Sequence, residues 1–371
     1  MKLFVVAGEA SGDLLAALVL KPLIEQKQHR IAGWGGRHLA AVGVDIIRDI
    51  TSLSTMGFLP VLSGLGKWRS LFKAVKKDIL RIGIDRLVLV DFGGFNMRLA
   101  AWAKSKGIEV VYYIPPKVWA SRSGRIRSLR KYADRIIVIY PFEQTYFENQ
   151  GIHTVYYGHP LVTASTLTSI PESSIDVKTD ITESPIHKIA LLPGSREHEI
   201  RQILPHMLGA MIGLKAQIIV SCAPTVRESL VEAICTPFKE LQWSISGDSI
   251  RDILGQVDVA IVTSGTATLE AALLEVPQIV CYRLPWISYQ VAKRLVTVDH
   301  ISLVNLVLRK QLVPELIQSD CTPERIKEEL NSLRNPEIRK RIIDGYRRIK
   351  GILSRESTIS SIAEAIVSEI K

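Results

Sequence analysis

The sequence predicts an α/β protein of two parallel-sheet domains that face each other across a cleft, with further helices at the C-terminal end. The 371 residues exceed the roughly 250–300 at which a single hydrophobic core stops growing. Short β-branched or aromatic runs alternate with helical patterns in both halves, which is typical of βαβ units. A small-residue turn follows an apolar run near the start, at Gly8–Asp13, and again late in the chain, at Ser264–Glu270.

The individual strands follow from these apolar runs. In the first half we expect strands at Leu3–Ala7, Ile31–Trp34, Arg86–Asp91, Val110–Ile114, Arg135–Ile139 and Val155–Tyr157. The helices between them should begin near Asp13, Arg98, Gly124 and Phe142. In the second half we expect strands at Ile189–Leu192, Gln217–Ser221, Val257–Val262 and Gln278–Cys281. From about Pro323 onward the pattern is helical.

Composition shifts along the chain indicate the domain boundaries. Residues 1–165 form the first predicted domain. Residues 166–187 are rich in Ser, Thr, Asp, Glu and Pro and poor in large apolar side chains, so they are expected to be a linker. Residues 188–335 form the second predicted domain, and 336–371 the C-terminal helices.

The bulk composition excludes several protein classes. Apolar residues make up 47% and charged residues 23%, as in ordinary globular proteins and unlike disordered ones. The formal net charge of +10 attracts nucleic acid, anionic lipid or phosphorylated metabolites. The four cysteines and eight histidines lack metal-ligand spacing, so we expect no metal and a reducing compartment. With no secretory signal and no run of about 18 apolar residues, the protein is expected to be cytoplasmic.

The segment at about 56–84 is both apolar and basic. Met56–Leu62 is an apolar stretch, and in Gly64–Ile84 apolar side chains recur at helical spacing among six lysines and arginines. Such a helix suits a membrane surface. On its pattern alone, an ordinary helix that covers the sheet is the favoured interpretation.

In the first half, Asp91 is the best candidate for a catalytic base. It ends a predicted strand, and ligands of parallel sheets gather at the carboxyl ends of strands. Partial burial there would raise the pKa of its carboxyl group and make it a better base. Asp91 could equally accept hydrogen bonds from the turn at Gly93–Gly94. Glu9 and Asp13 would repel a diphosphate and better suit sugar hydroxyls.

In the second half, two turns suit a nucleotide. Arg196 follows Gly194 and Ser195, and the paired N–H donors of its guanidinium group can reach a diphosphate. Ser264–Thr266 can bind phosphate at a helix start, and Glu270 lies one helical turn on, within reach of ribose hydroxyls. The alternative is a capping box that only completes the helix end. His198, Glu199 and Arg201 are expected at the solvated surface.

Taken in order and spacing, these motifs resemble the lipid-A-disaccharide synthase family over nearly the whole chain. The resemblance is carried by Ala7–Asp13, Met56–Phe58, Asp91 with Phe95–Asn96, Pro116–Ala120, Pro141–Glu143, Gly158–Pro160, Leu192–Arg196, Ser264–Thr266 with Leu269–Glu270, Tyr282–Arg283, Ala292–Leu295, Ser302–Leu303 and Asn305–Leu306. The chain departs from the family pattern at Gly94, where many relatives have a second Asp, and at Ser121, where a second Trp is common.

The resemblance implies a GT-B fold of two Rossmann-like domains and an inverting mechanism without metal or cofactor. The donor would be UDP-2,3-diacylglucosamine and the acceptor lipid X (2,3-diacylglucosamine 1-phosphate), attacked through its 6′-hydroxyl. Asp91 would be the catalytic base. On the donor side the resemblance matches Arg196, Asn305 and Glu270, the last as the ribose-binding acid. The turn residues already singled out complete this side, namely Gly194, Ser195, Ser264, Gly265 and Thr266. On the acceptor side we place Glu9, Ser11, Gly12 and Asn96. Lys117 and Arg122 belong to a basic group that could hold the acceptor phosphate or could equally be a solvated face.

Acylated substrates also make the membrane interpretation of residues 56–84 the favoured one, since anionic lipid attracts basic side chains. The residues expected to face the cytosolic surface of the inner membrane are Met56, Phe58, Leu59, Leu62 and Trp68. No nucleic-acid partner is expected, and a homo-oligomer is compatible with the sequence. The alternatives are another GT-B enzyme that uses UDP-GlcNAc (a cell-wall glycosyltransferase or an epimerase), a nucleic-acid-binding protein, and a nucleotide sensor without catalysis.

Overall fold

The computed structural model describes residues 1–50, 61–120, 123–167, 186–295, 298–355 and 358–370. The chain divides into two compact units. The first comprises Met1–Ala164 together with Leu353–Lys371, and the second comprises Ser165–Ile352. Among the described residues, no helix has the length and apolar character needed to cross a membrane.

The first unit is a parallel sheet of seven strands. They are β1 (Lys2–Ala7), β2 (Arg30–Gly35), β3 (Asp45–Asp49), β4 (Arg86–Val90), β5 (Glu109–Tyr113), β6 (Arg135–Val138) and β7 (Val155–Tyr156). Their spatial order is β3-β2-β1-β4-β5-β6-β7. The helices along this part of the chain are α1 (Ala10–Glu25), α2 (Arg37–Ala41), α3 (Val61–Ile82), α4 (Gly93–Ser105), α5 (Ile126–Tyr132), α6 (Pro141–Glu148) and α7 (Pro160–Leu167).

The second unit repeats this organisation with six parallel strands. They are β8 (Lys188–Leu192), β9 (Gln217–Ser221), β10 (Gln242–Ser246), β11 (Val259–Thr263), β12 (Gln278–Tyr282) and β13 (Glu315–Ile317), in the order β10-β9-β8-β11-β12-β13. Its helices are α8 (Glu197–Met211), α9 (Glu228–Cys235), α10 (Ile250–Leu254), α11 (Thr266–Leu273), α12 (Trp286–Leu295), α13 (Leu303–Leu308), α14 (Pro323–Ser332) and α15 (Pro336–Leu353). The last helix, α16 (Thr358–Val367), packs on α1 of the first unit.

The two-sheet α/β fold predicted from the sequence is confirmed. Central strands such as β4 and β11 are buried along their whole length, because helices cover both faces of a parallel sheet. This double burial explains why the apolar runs could be recognised in the sequence. Three strands were missed, namely β3, β10 and β13. Each lies at a sheet edge, where side chains are more exposed or the strand is short, so no apolar run marks them.

Candidate functional site

In each sheet the strand order reverses once, between β1 and β4 in the first unit and between β8 and β11 in the second. Ligands of open parallel sheets bind at the carboxyl ends of strands beside such a reversal. The turns singled out in the sequence follow these four strands: Gly8–Asp13 and Asp91–Gly94 in the first unit, Pro193–Arg196 and Ser264–Thr266 in the second. Each unit therefore has its candidate residues at its own switch point.

Asp91 lies in a strained turn at the end of β4. Its φ is +45° and that of Phe92 is +50°, a left-handed conformation that is uncommon outside glycine. Ile114, at the end of the neighbouring β5, has φ +58° and accepts a hydrogen bond of 3.0 Å from the Asp91 amide. Such conformations cost about 1–3 kcal/mol each and persist where the surroundings hold them. The Asp91 side chain is half-buried.

Asn96, predicted on the acceptor side, holds this turn from inside the unit. It is fully buried, and its Nδ2 lies 2.9 Å from the carbonyl oxygen of Asp91 and 3.1 Å from that of Val90. The Tyr112 hydroxyl donates a third hydrogen bond, of 3.0 Å, to the Asp91 carbonyl. Burial raises the pKa of Tyr112 well above its usual value, so this hydroxyl remains a donor. The side chain of Asn96 therefore fixes the backbone from which Asp91 projects.

The first turn of the chain packs directly against Phe92. A Cβ at Gly8 would collide with the Phe92 ring, so only glycine allows this approach. Glu9 and Ser11 are half-buried, and Gly12 is buried against Val90. The suggestion that Asp13 serves sugar hydroxyls is not supported, because Asp13 is buried and each of its oxygens already accepts a backbone hydrogen bond. They accept hydrogen bonds from the amides of Gly36 (2.6 Å) and His38 (2.9 Å) at the start of α2.

The loop after β5 carries Lys117, which is exposed, and Trp119, which is buried. The Trp119 Nε1 donates to Glu143 at 2.9 Å. Burial raises the pKa of Glu143 to about 7 although Trp119, Lys117 and two backbone amides favour its ionised form. Glu143 was not among the predicted site residues, although the spacing of a capping box at the start of α6 marks it. It anchors the loop that presents Lys117.

Some predicted positions of the first unit cannot be placed. Arg122, Met56, Phe58 and Leu59 lie outside the described residues. Leu62 lies in α3, where its backbone alone is described. The remaining member of the membrane-facing set, Trp68, is 39% exposed and stacks on Phe92 with ring centroids 5.8 Å apart.

In the second unit, the turn after β8 is held by an ion pair. Arg196 Nη1 lies 3.0 Å from Glu199 Oε1, and Gly194 has φ +109°. A Cβ on Gly194 would lie 2.8 Å from Glu199 Oε2. The expectation that Glu199 is solvated is wrong, because it is buried, where a carboxylate needs a charged partner. Ser195 is exposed, and its carbonyl accepts from Thr225 Oγ1 at 2.8 Å.

The turn after β11 leaves backbone donors available at the start of α11. Gly265 is the N-cap residue, and within the described residues no side chain caps this end, so the capping-box alternative is wrong. Ser264 Oγ instead donates to the Ile301 carbonyl at 2.7 Å. Glu270 follows on α11 and is half-buried. Burial raises the pKa of Glu270 to about 7, against the opposing charge of Arg251.

Asn305 has an internal role that links it to this turn. It is fully buried, and its Nδ2 donates to Glu315 Oε1 at 2.8 Å while its Oδ1 accepts from the Leu312 amide at 2.7 Å. Glu315 also accepts from the amides of Ile301 and Ser302, at 3.0 and 2.9 Å. Ile301 is the residue whose carbonyl receives Ser264. Asn305 therefore supports the turn after β11 through Glu315, a residue that the sequence patterns did not mark.

Within the described part of the chain, no three His, Cys, Asp or Glu side chains form a group that could hold a metal ion.

Residues 3–369 match the sequence model of the family described as lipid-A-disaccharide synthetase. A lipid-A-disaccharide synthase from Myxococcus xanthus is 35% identical, over 99% of this chain and 97% of the relative. Lipid-A-disaccharide synthase 1 from Legionella pneumophila is 34% identical, over 100% of this chain and 97% of the relative.

Solved structures with low sequence identity share the fold. The UDP-GlcNAc 2-epimerase from Neisseria meningitidis bound to UDP-GlcNAc has a TM-score of 0.68 at 11% identity, covering 100% of both chains. A UDP-glucosyltransferase from Polygonum tinctorium has a TM-score of 0.58 at 13% identity, covering 99% of both chains. At these identities the likeness shows the fold, which is of the GT-B type.

Proposed function

We propose that this chain, which belongs to the lipid-A-disaccharide synthetase family, is a UDP-sugar glycosyltransferase that builds the lipid A disaccharide. It transfers 2,3-diacylglucosamine from UDP-2,3-diacylglucosamine to the 6′-hydroxyl of 2,3-diacylglucosamine 1-phosphate. The products are the β-1,6-linked disaccharide 1-phosphate and UDP. The match over residues 3–369 supports this reaction over that of a cell-wall glycosyltransferase or an epimerase.

Asp91 acts as the base in this proposal. Its carboxylate takes the proton of the acceptor 6′-hydroxyl as that oxygen forms a bond to the donor anomeric carbon. The bond from the same carbon to the β-phosphate oxygen breaks, and UDP leaves with the electron pair. The observation that carries this role is the strained turn at the end of β4, held by Asn96 and Tyr112, which fixes a half-buried carboxylate at the switch point.

The second unit stabilises the departing UDP. The Arg196 guanidinium and the backbone N–H groups at Ser264–Thr266 would donate hydrogen bonds to the diphosphate, where negative charge increases during the reaction. Donors that are already fixed in place are the most effective, and the loss of one typically costs about a hundredfold or more in rate. Glu199 fixes Arg196 at 3.0 Å, and the chain of hydrogen bonds from Asn305 through Glu315 fixes Ser264. Gly194 and Ser195 keep the first turn small enough for the diphosphate.

Glu270 would bind the ribose of UDP. It lies on α11 one turn beyond the phosphate-binding amides and is half-buried. An ionised carboxylate accepts hydrogen bonds from both ribose hydroxyls, and its raised pKa of about 7 makes that binding sensitive to pH near neutrality.

The acceptor would be bound by the first unit. Glu9 and Ser11 lie after β1, the strand next to β4, and offer oxygen atoms to sugar hydroxyls. Gly12, with Asn96 beneath the Asp91 turn, allows close packing there. Lys117 is exposed and would pair with the acceptor phosphate, together with Arg122.

Both substrates carry acyl chains, so the enzyme would associate peripherally with the cytosolic face of the inner membrane. The described side chains that support this lie on α3. Arg69, Lys73 and Lys77 are exposed and spaced four residues apart, which aligns them along one face of the helix. Anionic lipid attracts each such charge by about 1 kcal/mol.

The test of the proposed function is incubation with UDP-2,3-diacylglucosamine and lipid X, followed by mass spectrometry of the lipid fraction. We expect a disaccharide 1-phosphate and a stoichiometric amount of UDP. A parallel incubation with unacylated UDP-GlcNAc separates the alternatives. Turnover or epimerisation of UDP-GlcNAc, without disaccharide from the acylated pair, would overturn the proposal.

A further inference from the structure

A basic pocket in the second unit lies outside the residues assigned above. Its volume is about 390 Å³, and it is lined by His198, Arg201, Gln202, Pro205, His206 and Arg283. The first five occupy one face of α8, because their spacing of three and one residues follows the turns of the helix. Arg283 follows β12, the strand next to β11. No residue of the two diphosphate-binding turns lines this pocket.

The lining is cationic and has no carboxylate of its own. Arg201 is exposed, so its guanidinium is accessible from solvent. Arg283 is held in place, because its Nη1 donates to the Cys321 carbonyl at 2.8 Å. The two acids of α8 beside His198 are paired with other arginines: Glu199 is buried against Arg196, and Glu197 lies 3.5 Å from Arg227. Two guanidinium groups therefore lie in one concave site without a lining carboxylate to neutralise them.

His206 adds to the anionic preference of this site. Burial and the neighbouring Arg283 lower the pKa of His206, and Glu324 opposes them. The imidazole is consequently uncharged at neutral pH. An anion bound beside His206 would stabilise its imidazolium form, so binding and protonation would reinforce each other.

We propose that this basic pocket binds a phosphate ester at a place separate from the UDP diphosphate. Two forked guanidinium groups, two imidazoles and the Gln202 amide supply donors in several directions, which suits the three or four oxygens of a phosphate group. The volume falls within the range of small-molecule sites. The phosphate has two sources, a soluble phosphate ester and the headgroup of an anionic phospholipid. The proposal does not depend on the assignment of Asp91 or Glu270.

The experiment compares the full-length protein with Arg201→Ser, and uses Arg348→Ser as the matched control. Arg348 is an exposed arginine on α15 of the same unit, outside the pocket lining. Inorganic phosphate is titrated at saturating UDP, so that the diphosphate site is already occupied, and the ring signals of His206 are followed by NMR. In a second arm, phosphatidylglycerol vesicles are compared with phosphatidylcholine vesicles. Arg283→Lys serves as a second variant, which keeps the positive charge but loses the paired N–H donors of the guanidinium group.

We expect phosphate to shift the His206 signals, and Arg201→Ser to weaken phosphate binding about tenfold, the size expected for one charge-assisted hydrogen bond. Arg348→Ser should bind phosphate as the unmodified protein does. If Arg201→Ser also weakens binding to phosphatidylglycerol vesicles, the ligand of the pocket is a lipid headgroup. If it weakens the binding of inorganic phosphate alone, the ligand is a soluble phosphate ester. Equal phosphate affinity in all three variants overturns the proposal, as does the absence of phosphate binding at saturating UDP. UDP affinity, measured in parallel, should be the same in Arg201→Ser, which separates this result from a failure of the proposed function.

Discussion

At the scale of single residues, Asp91 is held in a conformation that its own backbone disfavours. The strain at Asp91 and Phe92 is offset by hydrogen bonds that converge on the Asp91 carbonyl from Asn96 and Tyr112. Because the side chain takes no part in those bonds to the carbonyl, a change of the carboxylate alone should leave the turn intact. Asparagine also tolerates the left-handed region better than most residues.

Asp91→Asn should therefore fold normally and bind UDP as before, but lose at least about a hundredfold in kcat, the usual contribution of a general base. Steady-state turnover with the acylated substrates measures the loss, and a UDP titration checks the binding. Asp85→Asn is the matched control, since Asp85 is exposed at the opposite end of the same strand. Appreciable activity in Asp91→Asn would place the base elsewhere.

Because the pKa of Glu270 is raised, we expect the affinity for the nucleotide to depend on pH. Burial raises the pKa of its carboxyl group to about 7, so the ionised form, which would accept hydrogen bonds from the ribose hydroxyls, is lost as the pH falls through 7. The affinity for UDP-GlcNAc, whose phosphates do not titrate in this range, should fall about tenfold between pH 8 and pH 6. Calorimetric titrations across this range measure the effect. Glu270→Gln should bind weakly with a flat profile, and the same pH dependence in that variant would contradict the role.

The residues that sequence patterns identified are those in turns after buried strands, because the strand itself marks where the turn begins. Asp91, Arg196 and Ser264 were found in this way. Glu143 and Glu315 were missed because they act from a distance, on a loop or a turn elsewhere in the sequence. The capping box marks Glu143 only as a residue of a helix start, and no such pattern marks Glu315. Neither sequence pattern predicts the distant N–H group from which the carboxylate accepts. Asn96 and Asn305 were selected by resemblance, while their hydrogen bonds to backbone groups are visible only in the structure.

At the scale of secondary structure, α3 has a buried apolar face and an exposed basic face. Val75 and Ile79 are fully buried against the sheet of the first unit, as an ordinary covering helix requires. Arg69, Lys73 and Lys77 are exposed along another face. The sequence pattern could not separate a covering helix from a membrane-surface helix, because the buried face of α3 satisfies the first interpretation and the exposed face favours the second.

Replacement of Arg69, Lys73 and Lys77 together by glutamine tests the membrane role. If each charge contributes about 1 kcal/mol, affinity for phosphatidylglycerol vesicles should fall on the order of a hundredfold. Vesicle sedimentation measures the affinity, and the core packing of α3 should be unaffected. The control removes the same charge from α15 by replacing Lys340, Arg341 and Arg348, which are also exposed. Equal losses in the two triple variants would mean that net charge, rather than α3, determines binding.

At the scale of the whole molecule, the first unit is built from both ends of the chain. Leu353 returns to accept a hydrogen bond of 3.0 Å from the His159 amide, and α16 then packs on α1. A fully buried arginine holds this terminal segment. Arg86, at the start of β4, donates to the carbonyls of Ile366 (2.6 Å) and Ser368 (2.9 Å) and to Glu109. The sequence predicted the helices of this segment, but a helical pattern carries no information about the sheet on which a helix packs.

This arrangement predicts that the C-terminal segment stabilises the first unit through Arg86. Arg86→Met keeps most of the side-chain volume but removes the donor of the Ile366 carbonyl and of Glu109. It leaves the Ser368 carbonyl with Arg135 alone, at 3.3 Å, and the expected cost is about 3 kcal/mol. Arg81→Met is the matched control, because Arg81 is 64% exposed and its partner Asp78, 3.4 Å away, keeps its hydrogen bond from Trp34. The loss of Arg81 should therefore change stability by less than about 0.5 kcal/mol. Urea unfolding monitors both variants, and hydrogen exchange locates the effect. Faster exchange in α16 and β4 of Arg86→Met is expected, while β11 of the second unit exchanges as before. Unchanged exchange in α16 would show that its packing on α1 and the hydrogen bonds of Arg135 to Ala365, Ser368 and Glu369 are sufficient to hold the end of the chain.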